Sequence, residues 1–115
     1  MRKRNKGRTL SLKKGPRTAL LRTLVNSFFM HGKIKTTEAK AKEIKPMIEK
    51  MITRAKTGSV ANRRVLAQKL TIANVKKVVG EIAPKYSERP GGYTRIIRTG
   101  RRPSDGASTV IIELV

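Results

Sequence analysis

Positive charge without a partner inside the chain is the strongest constraint on how these residues can fold. Lys and Arg number 28 against 7 Asp and Glu among 115 residues, a formal net charge of +21. Self-repulsion on that scale opposes compaction, so the cations are expected to spread over an outer surface and meet a polyanion there, either nucleic acid or an anionic membrane. A core is still affordable: Leu, Ile, Val and Phe number 28 of the 115 residues, above the roughly 20% share below which a highly charged chain reads as disordered. With no cysteine, a disulfide framework, a thiolate metal site and a Cys nucleophile are excluded, and a reducing or redox-indifferent compartment is expected. The longest apolar runs are four residues or fewer, such as Val110-Ile111-Ile112, far below the roughly 18 residues a membrane span needs, so the chain reads as soluble.

The length suits one domain. Residues 1–16 read as a basic arm and 17–115 as a single α+β domain. The first 17 residues hold eight cations (Arg2, Lys3, Arg4, Lys6, Arg8, Lys13, Lys14, Arg17), no acid, and only Leu10 and Leu12 as large apolar residues after Met1. Such a segment is expected to stay flexible until an anion orders it. Its composition also suits a transit peptide, but the apolar stripe that follows, Leu20, Leu21, Leu24, Val25, Phe28 and Phe29, is needed by a small core. That stripe predicts a helix from Arg17 to Met30, stopped by His31-Gly32. Ile34 points inward from a short extended piece over 33–36. Thr37 is the expected N-cap of a second helix, with a kink or break at Pro46. Ser59 is expected to cap a third helix bearing Val60, Val65, Leu66 and Leu70, and Asn74 a fourth bearing Val75, Val78, Val79 and Ile82, closed by Pro84. Alternation and β-branching predict strands over 93–99 and 108–115, joined by a loop rich in Gly, Pro and Asp signals. About four helices over a small sheet is the natural packing.

The charge map argues for a surface rather than a pocket. Eleven cations and no acid precede Thr37, and eight more, again without an acid, lie between Lys50 and Gly80. Arg89, Arg95, Arg98, Arg101 and Arg102 form a third cluster. Any one lysine on a helix is most simply a solvated side chain, but three long acid-free stretches in one small domain point to phosphates. Folded RNA is favoured over DNA, because no zinc finger, basic zipper or clear helix-turn-helix is present. Two Tyr and two Phe provide no stacking platform for bases, leaving phosphate and shape recognition by Arg forks. Candidate RNA-binding residues are Arg2, Lys3, Arg4, Lys6, Arg8, Lys13, Lys14, Arg17, Arg22, Lys33, Lys35, Arg63, Arg64, Tyr93, Arg95, Arg98, Arg101 and Arg102. Tyr93, beside two glycines, suits a core role and a stacking role equally.

Catalysis finds little support. His31 stands alone near a helix C-terminus, the seven carboxylates are scattered, and Gly91-Gly92 lacks the spacing of a phosphate-cradling loop. No catalytic residue, metal, cofactor or small-molecule substrate is expected. The alternative reading is a nucleoid-type architectural DNA-binding protein, followed by a cationic membrane-surface protein and a hydrolytic nuclease using Glu88 or Asp105.

Several segments together resemble one family. These are the start 1–10, the run 17–24, the stretch 34–64 with Ile34-Lys35-Thr36-Thr37 and Lys40-Ala41-Lys42-Glu43, and 83–96 with Gly91-Gly92-Tyr93-Thr94-Arg95-Ile96, followed by Ser104-Asp105-Gly106 to Val115. In order and over essentially the whole chain they resemble bacterial large-subunit ribosomal protein seventeen. Lys3 stands where the family start usually has His. The resemblance implies an α+β fold with a helix-covered, mixed three-stranded sheet and no catalytic activity. It also implies a structural place on the cytoplasmic large subunit, against 23S rRNA and neighbouring ribosomal proteins, on the solvent side near the exit of the peptide tunnel, without a membrane partner.

Overall fold

The computed structural model describes residues 14–115, so the arm cations Arg2, Lys3, Arg4, Lys6, Arg8 and Lys13 lie outside the described residues. The chain runs α1 (Lys14–His31), β1 (Lys33–Thr37), α2 (Glu38–Thr57), α3 (Val60–Ala67), α4 (Ile72–Lys77), a π-helical turn (Val78–Ile82), α5 (Ala83–Lys85), β2 (Thr94–Arg101) and β3 (Ser108–Leu114). This is the expected α+β class. No described helix is long and apolar enough to cross a membrane.

Local chemistry explains most boundaries. Thr37 and Ser59 adopt extended backbone and accept, through their hydroxyls, the N–H groups of Lys40 and Asn62, the N-cap arrangement that satisfies an orphan donor of the first turn. The cap of α4 is Thr71, whose hydroxyl accepts from Asn74 N–H at 3.3 Å, rather than Asn74 itself. Asn74 is buried instead and donates to the Asn26 carbonyl at 3.0 Å and to Asn26 Oδ1 at 2.9 Å. Asn26 also takes the Thr71 N–H and donates to the Lys69 carbonyl, so two amides fasten α1 to the start of α4. Gly32, at φ 80, gives the left-handed residue that ends α1 and turns the chain straight into β1.

Three expectations about helix continuity are revised. α1 begins at Lys14, ahead of the Gly15-Pro16 pair expected to precede it, because proline is tolerated in a first turn whose N–H groups have no helical partner. α2 runs through Pro46 without a break. Pro46 and Lys42 are both exposed, so water can solvate the carbonyl that proline leaves without its donor. Pro84 lies inside the helical run, directly after the π turn, where Ala83 N–H bonds the Val78 carbonyl. Proline offers Gly80 no N–H and crowds its carbonyl; the wider π turn relieves both.

The sheet order is β1-β3-β2, and both pairings are antiparallel, so the expected mixed sheet is corrected. Short connections tie β1 to α1 and α2, and those two helices pack on each other, which fixes the direction of β1. Helices cover one face of the sheet. Buried there are Val110 and Ile112 from β3, Val25, Phe28 and Phe29 from α1, and Ala41, Ile44, Ile48, Met51, Ile52 and Ala55 from α2. Leu66 joins the core from α3 and Leu70 from the turn after it, since α3 ends at Ala67, short of the expected Leu70, whereas Val60 and Val65 of the expected stripe are exposed, and Leu20 stays half-buried outside the cluster.

Candidate nucleic-acid interface

Strand alternation sorts the cations of the sheet. Opposite-facing neighbours along a strand give β1 one outward set, Lys33 and Lys35, and β2 another, Arg95 and Ile97. Register aligns Lys33 and Arg95 on either side of Glu113, with Arg95 Nε donating to Glu113 Oε1 at 2.7 Å. The next row carries Lys35, Ile111 and Ile97. A bulge between Arg98 and Gly100 adds Thr99 to β2, so Arg101 pairs with Ser108 and leaves the face of Arg95 and Ile97. Thr99 is pinned there, its hydroxyl donating to the Thr109 carbonyl at 3.0 Å.

Several cations are occupied within the protein. Arg98 Nη2 donates to Glu38 Oε1 at 3.1 Å, an oxygen that also takes Lys42 Nζ at 2.8 Å. Arg102 sets its fork on Asp105, at 3.1 Å from Nε to Oδ1 and 2.6 Å from Nη2 to Oδ2. That guanidinium, and then the Ala107 N–H, hold the Asp105 carboxyl below its ordinary 3.8, and Asp105 in turn raises Arg102. Lys77 Nζ reaches the Met30 carbonyl at 2.8 Å, near the end of α1 where a helix favours a cation. Lys56 Nζ donates to the Arg89 carbonyl and to Tyr93 Oη at 3.2 Å, and stands 5.3 Å from the Tyr93 ring centroid.

Tyr93 is corrected as a base-stacking candidate: its side chain is 1% exposed, so its ring is a core element. The ring lies 5.4 Å from Tyr86, and the phenol meets Thr53 Oγ1 at 3.2 Å. The Thr53 hydroxyl, assisted by Lys56, holds Tyr93 below the ordinary 10.0 although burial opposes it, whereas burial raises Tyr86. Glu49 secures the preceding turn by accepting from Gly92 N–H at 3.0 Å, Thr94 N–H at 3.2 Å and the Thr94 hydroxyl at 2.8 Å. Gly92 is left-handed, at φ 64, which makes that turn a glycine position.

The remaining candidates lie on the surface. Lys14, Arg22, Lys33, Lys35, Arg63, Arg64 and Arg101 are exposed and Arg17 is half-buried. Lys35, Arg101 and Arg102 come together, with Lys40, around an open concavity of about 520 Å³ where β1 passes into α2 beside the β2–β3 loop. Arg22 and Lys69 both line a groove between α1 and α2, and a further groove of about 220 Å³ adds Lys50 and Arg54 beside Met47 and Met51. Arg63 and Arg64 line neither. Lys40, Lys50, Arg54 and Lys69 were not among the sequence candidates. The four-residue spacing of Lys50 and Arg54 on a helix is a signal for one shared face; the position of Lys40, from a different element than Arg101, has no local signal.

The family model for ribosomal protein L17 matches residues 20–115. The large ribosomal subunit protein bL17 of Clostridium botulinum (strain Loch Maree / Type A3) is 56% identical over 100 residues, covering 86% of this chain and 88% of the relative. Its counterpart in Thermoanaerobacter sp. (strain X514) is 55% identical over 100 residues, covering 86% and 89% respectively. A model match to most of the chain, joined by relatives of this identity and coverage, places it: the chain belongs to the ribosomal protein L17 family.

Proposed function

We propose that this protein is a non-catalytic structural constituent of the large ribosomal subunit, where it binds 23S rRNA through phosphates and shape near the exit of the peptide tunnel. The observation that carries this reading is family membership with relatives named as large-subunit proteins. The surface is consistent with it: Lys33, Lys35, Arg63, Arg64 and Arg101 stand exposed and enter no ion pair among the described residues. Unpaired cations repel one another in the free protein and gain partners when they displace the counterions condensed on RNA phosphates. The arm cations Arg2, Lys3, Arg4, Lys6, Arg8 and Lys13, with Lys14, Arg17 and Arg22, extend the same contact in the proposed assembly. Neighbouring ribosomal proteins are further partners, and the bacterial cytoplasm is the setting.

The test is sucrose-gradient sedimentation of tagged protein in a bacterial lysate, paired with competition between 23S rRNA and duplex DNA. Co-sedimentation with large subunits and preference for the rRNA are expected. Absence from the large-subunit fraction, or equal affinity for both nucleic acids, overturns the proposal, the latter in favour of an architectural DNA-binding protein.

A further inference from the structure

Two concavities adjoin where β1 enters α2, and they differ in charge. One, of about 470 Å³, is lined by Thr37, Glu38, Ala39, Lys42, Ala107 and Ser108. Its carboxylate is occupied by Lys42 and Arg98. The other, of about 520 Å³, gathers Lys35, Lys40, Arg101 and Arg102 with Thr and Pro side chains, and no acid lines it.

From this contrast we infer that the second concavity is a cradle for the sugar-phosphate backbone of RNA, with Lys40 as a contact residue alongside Lys35 and Arg101. The inference rests on the rRNA reading above and adds the place and the mode of one contact. Among the described residues Lys35, Lys40 and Arg101 enter no ion pair, so their charge is available to a ligand. Arg102 is already held in place. Asp105 takes its Nε and Nη2 at 3.1 and 2.6 Å, which leaves further N–H donors of the five-donor guanidinium for a phosphate oxygen. The loop behind it is closed by Arg102 N–H on the Ala107 carbonyl and Gly106 N–H on the Arg102 carbonyl, both at 2.8 Å, and the wall by the Thr99–Thr109 hydroxyl contact at 2.8 Å. Arg102 and the backbone of the cradle are thus held before binding and lose little conformational freedom on it. Its lining contains no aromatic ring, so bases have nothing to stack on, and phosphate contact of this kind carries no sequence preference.

Filter binding of the full chain to 23S rRNA across a potassium series tests the cradle. The double variant Lys40→Ala with Arg101→Ala is expected to flatten the slope of log K against log salt by about 1.4 to 1.8, at 0.7 to 0.9 per lost phosphate contact. Lys40→Arg with Arg101→Lys keeps both charges and is expected to retain the wild-type slope, which separates lost contacts from lost folding. Lys42→Ala, in the neighbouring concavity, is expected to retain it as well. A steep wild-type slope that the double alanine variant leaves unchanged overturns the cradle while the rRNA reading stands. An equal loss per residue from Lys42→Ala also overturns it, because the effect is then one of net charge. A wild-type slope near zero overturns the rRNA reading itself.

Discussion

The corner around Gly92–Thr94 and the junction of β1, α2 and the β2–β3 loop use the same residue types to opposite ends. At the corner, Lys56 and Glu49 turn inward: the ammonium meets the Tyr93 phenol and a backbone carbonyl, and the carboxylate collects three donors from Gly92 and Thr94. At the junction, Lys35, Lys40 and Arg101 surround an open concavity and pair with nothing among the described residues. The half-buried Lys56 and Glu49 find their partners within the fold, whereas exposed cations such as Lys35 and Arg101 can wait for one. A count of positive charges therefore overstates the interface. Lys56 and Lys77 serve groups of the domain itself, and Arg95 and Arg98 already face a carboxylate at the surface.

The comparison breaks if the corner proves to be a binding surface, and Tyr93 gives the largest effect. Tyr93→Ala is expected to cost about 3–5 kcal/mol, as for other large aromatic residues removed from a core, seen as a lower urea midpoint. Tyr93→Phe keeps the ring and loses only the hydroxyl contacts, at about 1 kcal/mol, with rRNA affinity unchanged. A fall in affinity for the Phe variant at full stability would return Tyr93 to the interface. Glu49→Ala comes next. Three donors lose a charged acceptor at a half-buried position, and about 2–3 kcal/mol of unfolding free energy is expected to go with it. Unchanged denaturant curves would show that the turn holds without its carboxylate.

The smallest effect sharpens the other side. Asp105 is held below 3.8 in the folded protein, mainly by Arg102. A carboxyl lowered on folding stabilises fully above its unfolded value, and that contribution is lost as pH falls through the folded value. The Gly106 and Ala107 amide resonances are therefore expected to move with a midpoint below 3.8, and to lose that titration in Asp105→Asn. A midpoint at or above 3.8 would mean that Arg102 is not held by Asp105 in solution.

Much of the scaffold was legible because its signals are local. The Thr37 and Ser59 caps, the buried Ala41, Ile44 and Ile48 face and the alternation of Val110, Ile112 and Leu114 each depend on residues within a few positions. Asn74 was misread as a cap for an equally clear reason. An Asn near a helix start serves either its own backbone or a distant partner, and here Asn26, 48 residues away in sequence, claims it. The candidate interface was legible by charge but not by position. Residue type marks Arg101 as cationic and says nothing of Lys40 across the concavity.

The sequence by itself determined that the chain has a small apolar core under a large surplus of positive charge, and that helices come first and a hairpin last. Periodicity, capping and charge are short-range properties, readable wherever they occur. Only the tertiary structure decided that β1 joins the hairpin antiparallel to β3, that Tyr93 faces inward, and that Arg98 pairs with Glu38. Those outcomes depend on groups far apart along the chain, whose meeting is set by how α1 and α2 pack against the sheet and not by any residue's own preference.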